Sequence, residues 1–153
     1  MPPLVTLGRI LFVVLFVFSG ASKLLDIAGT AQAITDKVIP SLPAALAVYT
    51  TRLEGITGMP TAQLLAIVAG ALEVVGGLLI ALNFGAPLFA LLLILFVCVA
   101  TFYFHDFWNM TGADNMIHAL KNLSLIGGLL IIAGYPRPSL ADNNYTGTAE
   151  TRY

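Results

Sequence analysis

Four long apolar stretches, divided by polar or turn-forming segments, dominate the pattern along this chain. A spanning helix needs about 20 mainly apolar residues at about 1.5 Å each. Windows near 6–25, 61–82, 86–104 and 115–134 meet that length. The pattern predicts an all-α membrane protein whose transmembrane domain, residues 1–135, is a four-helix bundle. A polar tail rich in Thr, Asn and Pro follows at 136–153 and is expected to be mobile. The first stretch also has features of a signal peptide, with Arg9 ahead of the apolar run and Ser19 and Ala21 resembling a cleavage site. It is expected to be retained as a spanning helix.

The connections differ in kind. The segment 27–60 is too long for a hairpin and too apolar for a flexible linker, so it is expected to lie on the membrane surface as a partly helical interfacial loop. Pro40 and Pro43 divide it into pieces near 30–38 and 44–54. Asn83, Phe84 and Gly85 before Ala86 and Pro87 are turn chemistry, with Asn and Gly available for positive φ and Pro opening the next helix. Around 105–114, Tyr103, Phe107 and Trp108 form an aromatic group suited to the headgroup level. A weak internal echo, Gly-Gly-Leu-Leu-Ile at 76–80 and again at 127–131, raises the question of a duplicated two-helix unit.

Helical spacing assigns faces. Ala62, Ala66, Gly70, Glu73, Gly77 and Ala81 share one stripe of the second span, so the mid-membrane carboxylate points toward a helix–helix interface of small residues. Arg9, Phe12, Phe16, Ser19, Lys23 and Asp26 form a stripe on the first span, and His118, Lys121, Asn122, Leu125 and Gly128 one on the fourth. By rise per residue, Lys23, His105, Asp106, His118 and Lys121 fall near the surface that carries the 27–60 loop, with Arg9 approaching from the other side. Glu73 lies about 18 Å along its helix and Lys121 about 9 Å along its own, so a contact between them would need the full lysine stem.

Composition sharpens the class. The chain has 153 residues, a mean hydropathy of +0.92 and 10% charged residues, against about 25% in soluble chains. A net charge of −1 argues against a nucleic-acid partner and against a polybasic lipid-binding surface. The lone Cys98 permits no intramolecular disulfide and reads as a small hydrophobe in a span. Charges inside hydrocarbon cost on the order of 2.5–3.5 kcal/mol, so Arg9, Lys23, Glu73, His105, His118, Lys121 and the neighbouring Asn122 are the ligand or polar-cluster candidates.

For Glu73 a structural ion pair or a protonated, hydrogen-bonded state competes with a proton or ligand role. His105 and His118 flank one loop, which invites a haem or metal, but no further Cys, His or carboxylate cluster has ligand spacing. Haem is disfavoured and no metal site is expected. No nucleophile elbow, phosphate-binding glycine loop or redox Cys pair is present, so no catalytic residue is assigned.

Three sets of residues carry a family likeness: Gly8-Arg9 with Phe18-Ser19-Gly20 and Lys23-Leu24; Leu72-Glu73-Val74-Val75-Gly76-Gly77-Leu78; and Ile117-His118 with Lys121-Asn122-Leu123 and Gly127-Gly128. On these the chain resembles the DoxX family of small four-helix membrane proteins over most of 6–134. The 27–60 insertion and the polar tail depart from that pattern. The resemblance implies a membrane subunit linked to redox assemblies, in one case a thiosulfate:quinone oxidoreductase, and it carries no catalytic role onto any residue here. The expected function is an anchor or accessory subunit of a redox assembly, with a quinone as a compatible cofactor and a membrane protein or a second copy as partner in the lipid bilayer. A small oligomeric transporter or channel using Glu73, and a purely structural subunit, are the alternatives. The expected location is the bacterial cytoplasmic membrane. Both termini are expected to be cytoplasmic, because four spans return the chain to its starting face and Arg9, Arg137 and Arg152 then outnumber Lys37 and Arg52.

Overall fold

A computed structural model describes residues 3–105 and 113–135. The expected tail and the expected Phe107–Trp108 part of the aromatic group lie outside the described residues. Within them the chain is six helices: α1 (Pro3–Leu25), α2 (Ile27–Lys37), α3 (Ala47–Thr57), α4 (Thr61–Ala81), α5 (Ala86–Phe104) and α6 (Ala113–Gly134). Helices α1, α4, α5 and α6 are long and apolar enough to cross a membrane, as expected from the hydropathy pattern, and helices α2 and α3 make up most of the surface loop.

Local chemistry explains the breaks. Asp26 ends α1 and caps α2, its carboxylate accepting from the Gly29 amide at 2.9 Å, which satisfies an otherwise unpaired amide of the first turn. Pro40 and Pro43 cannot continue α2, and two 3-10 turns, Ile39–Ser41 and Ala44–Leu46, carry the chain to α3. Gly58, at φ 68°, closes α3 with its amide donating to the Glu54 carbonyl. The α4–α5 turn places Asn83 at φ 58° and Gly85 at φ 59°, with Pro87 in the first turn of α5, as the turn residues require.

The four spans pack antiparallel in sequence order, α1 on α4, α4 on α5 and α5 on α6, with the α1–α4 pair the most extensive. The α1–α4 approach is close because glycines face each other. A Cβ on Gly20 would stand 2.6 Å from the Gly70 carbonyl oxygen, and one on Gly70 would meet Leu24 at 2.8 Å. Val13 and Phe16 of α1, Ile80 of α4, Leu93 and Val97 of α5, and Leu129 and Ile132 of α6 form the buried core. A second cluster joins Ile34 of α2 to Ala62 and Ala66 of α4. The outward faces are apolar, including Leu11, Phe18, Leu95 and Leu123, which is the surface of a chain solvated by lipid. On α3 no residue is buried, and Val48, Leu53 and Ile56 stay exposed.

The repeated Gly-Gly-Leu-Leu-Ile words match at their second glycine and differ at their first. Gly77 seats against Phe16 and Val17, Gly128 against Phe12, so both words receive side chains of α1. Gly76 faces Leu93, whereas nothing lies within 4 Å of a Cβ placed on Gly127.

Candidate functional site

The polar centre of the bundle is the Lys23–Glu73 pair. Lys23 Nζ stands 2.7 Å from Glu73 Oε2 and donates to Ser19 Oγ at 2.6 Å. The Phe96 ring of α5 lies 5.9 Å from the ammonium. Glu73 is 3% exposed, enclosed on the stripe of small residues that the helical spacing of α4 assigns to it.

By position alone Lys23 belongs near a membrane surface, and Lys121 is the lysine considered for Glu73. The structure gives Glu73 Lys23 instead. The reason is helix stagger: Gly20 stands level with Gly70 and Glu73, so α1 ends well inside the length of α4, and α2 covers the first turns of α4 beyond it. Helical side chains tilt toward the N-terminus, so the Lys23 stem runs back along α1 toward Ser19 and into the bundle.

The stripe expected on α6 is rotated. Ala119, Leu129 and Ile132 are buried there, while His118 and Lys121 are exposed. Apolar side chains take the inward positions because a lipid-facing bundle still fills its core by close packing. Of the polar trio only Asn122 turns inward, its amide donating to Thr101 Oγ1 at 2.9 Å while Thr101 donates to the Val97 carbonyl.

His105 and His118 meet at the end of the bundle nearest α2, with ring centroids 4.8 Å apart and planes 14° from parallel. Stacked faces do not converge ring nitrogens on one point, and among the described residues no group of three metal-ligating side chains occurs. Burial holds the His105 imidazole below its ordinary pKa, with the positive charges of His118 and Lys37 acting in the same direction. Lys37 Nζ itself lies 5.4 Å from the Phe104 ring. At the same end Glu54 accepts from both the amide and the hydroxyl of Thr61 at 2.7 Å, which ties α3 to the start of α4 and keeps the Glu54 carboxyl below its usual range.

Arg9 occupies the opposite end. Its Nη1 donates to Asn83 Oδ1 in the α4–α5 turn, and its guanidinium lies 5.8 Å from the Tyr135 ring. It is 5% exposed and borders a groove of about 210 Å³ between α1 and the end of α6.

The DoxX family model matches residues 4–106, which include all but the first residue of α1, the whole of α2 through α5 and both members of the central ion pair. The chain belongs to the DoxX family. It is 31% identical over 135 residues to the inner membrane protein YphA of Escherichia coli (strain K12), an alignment spanning 86% of this chain and 82% of that protein. No solved structure matches. The expected resemblance therefore stands, and this DoxX chain is a multi-pass integral membrane protein in contact with the lipid bilayer.

Gly20 enters the sequence reading only as part of the family likeness, and neither its contact with Gly70 nor the Lys23–Glu73 pairing is expected there. Gly20 was available as a signal, since it lies one residue past Ser19 on the face that meets Gly70. The stagger of α1 against α4 was not, because it depends on where α2 docks.

Proposed function

We propose that this DoxX chain is an accessory membrane subunit of a redox assembly in the bacterial cytoplasmic membrane, anchoring a partner rather than carrying out a reaction or moving a solute itself. The closure of Glu73 carries this reading. A coupling carboxylate must exchange its proton or ligand with water during the transport cycle. Glu73 instead lies 3% exposed, against an ammonium that also holds Ser19, in the manner of a structural staple. The redox setting, with a quinone as the compatible cofactor, is supported by the family likeness. The wide apolar faces of α1, α5 and α6 offer room for a partner helix as well as for lipid.

Purification in mild detergent, followed by mass spectrometry and an absorption spectrum, tests this. The reading expects a co-purifying membrane partner, with a quinone or with redox centres belonging to that partner. A chain that runs alone without partner, quinone or pigment contradicts it.

A further inference from the structure

The groove beside Arg9 combines features that no other part of the described bundle joins: a buried cation, an apolar slot and a place at the membrane surface. Among the described residues the guanidinium donates to one acceptor, Asn83 Oδ1, and forms no ion pair, although a guanidinium carries five N–H donors. A charge buried to that degree, with no counter-ion among the described residues, is costly. The side chain reaches an exposed residue of the α4–α5 turn, which places the guanidinium at headgroup depth rather than mid-membrane. Below it the slot is lined by Gly8 and Phe12 of α1 and by Ile131 and Ile132 of α6, and a Cβ on Gly8 would meet nothing within 4 Å.

We propose that this groove binds one anionic phospholipid, with Arg9 holding the phosphodiester and an acyl chain lying over Gly8 against Ile131. The planar guanidinium fork matches two phosphate oxygens, which a lysine at this position would not. Tyr135 lies at the rim with its ring 5.8 Å from the guanidinium, and both residues line the groove. The slot is open rather than enclosed, and the helices that line it, α1 and α6, carry exposed apolar residues such as Leu4, Leu11 and Ile131, so an acyl chain meets apolar surface around it. A net negative headgroup fits better than a zwitterionic one because Arg9 brings a positive charge and, among the described residues, no ion-paired carboxylate stands there to receive an amine.

The test is native mass spectrometry of the full chain released from vesicles of phosphatidylglycerol mixed equally with phosphatidylcholine, with thermal unfolding in detergent as a second readout. Wild type should retain one phosphatidylglycerol in preference to phosphatidylcholine. Arg9→Gln should weaken that retention about tenfold, the worth of a charge-assisted contact. Gly8→Leu fills the slot from a position with free space around it, so it should fold as wild type and also lose the lipid; it decides the matter if Arg9→Gln does not fold. Equal retention of both lipids, or retention unchanged in Gly8→Leu, overturns the proposal. So does a stabilisation that inorganic phosphate alone reproduces, which would make the site one for a soluble anion.

Discussion

Lys23 lies near the end of α1, yet its ammonium sits beside a carboxylate in the middle of α4. A pair of this kind gains little net stability over an apolar pair, but breaking it leaves a charge stranded. Lys23→Met should therefore destabilise the bundle by about 2–4 kcal/mol, below the full range for wholly buried pairs because Lys23 keeps 27% of its side chain exposed. Glu73→Gln, which keeps an acceptor for the ammonium, should cost less than Glu73→Leu. The double variant Lys23→Met with Glu73→Leu should recover most of the loss, read as denaturant midpoints in detergent. Additive losses would mean the two residues are not coupled. His105 gives a pH test. Burial depresses its folded pKa, so the folded state binds fewer protons there, and this contribution to stability is full above the ordinary histidine pKa of about 6.5 and is lost as pH falls through the lower folded value. In an NMR titration the His105 ring should take its proton at lower pH than a free imidazole; a normal or raised midpoint would contradict the packing at that end.

At the scale of helices, the spans were legible because hydropathy and length are local properties. Pro40 and Pro43 marked the break after α2 for the same reason, whereas Asp26, read as part of the α1 stripe, caps α2, and Gly58 ends α3. Rotation and stagger were not legible. On α6 the spacing of His118, Lys121 and Asn122 suggested one inward polar face, but packing turned Ala119 and Leu129 inward and left only Asn122. On α1 the pairing of Lys23 depends on Gly20 meeting Gly70, a contact 50 residues apart in sequence that no local pattern encodes. The glycines give the test at this scale. Gly20→Ala pushes a Cβ into the Gly70 carbonyl and the Glu73 Cβ, so it should cost about 1–3 kcal/mol by forcing α1 from α4. Gly127→Ala meets nothing within 4 Å and should be neutral or stabilising by up to about 1 kcal/mol through helix propensity. Equal effects at both sites, measured by thermal unfolding, would refute the assigned helix faces.

For the whole molecule, four antiparallel spans put the α4–α5 turn and the α2–α3 segment on opposite sides of the membrane. In a Cys98→Ala background, cysteines at Phe84 and Thr57, both exposed, should react with an impermeant thiol reagent from opposite faces of intact cells, with Thr57 on the outside. Reaction from the same side would rule out the four-span path, and Phe84 on the outside would reverse its orientation. Lys23, Ser19, Glu73 and Phe96 tie three spans together at mid-bundle, and in an anchoring subunit that knot is structural. The most direct measurement is proton flux into liposomes carrying the purified wild-type chain, compared with Glu73→Gln at equal protein density. Both should show the same low leak. Flux through the wild type that Glu73→Gln abolishes would contradict the structural role and make Glu73 a transport residue.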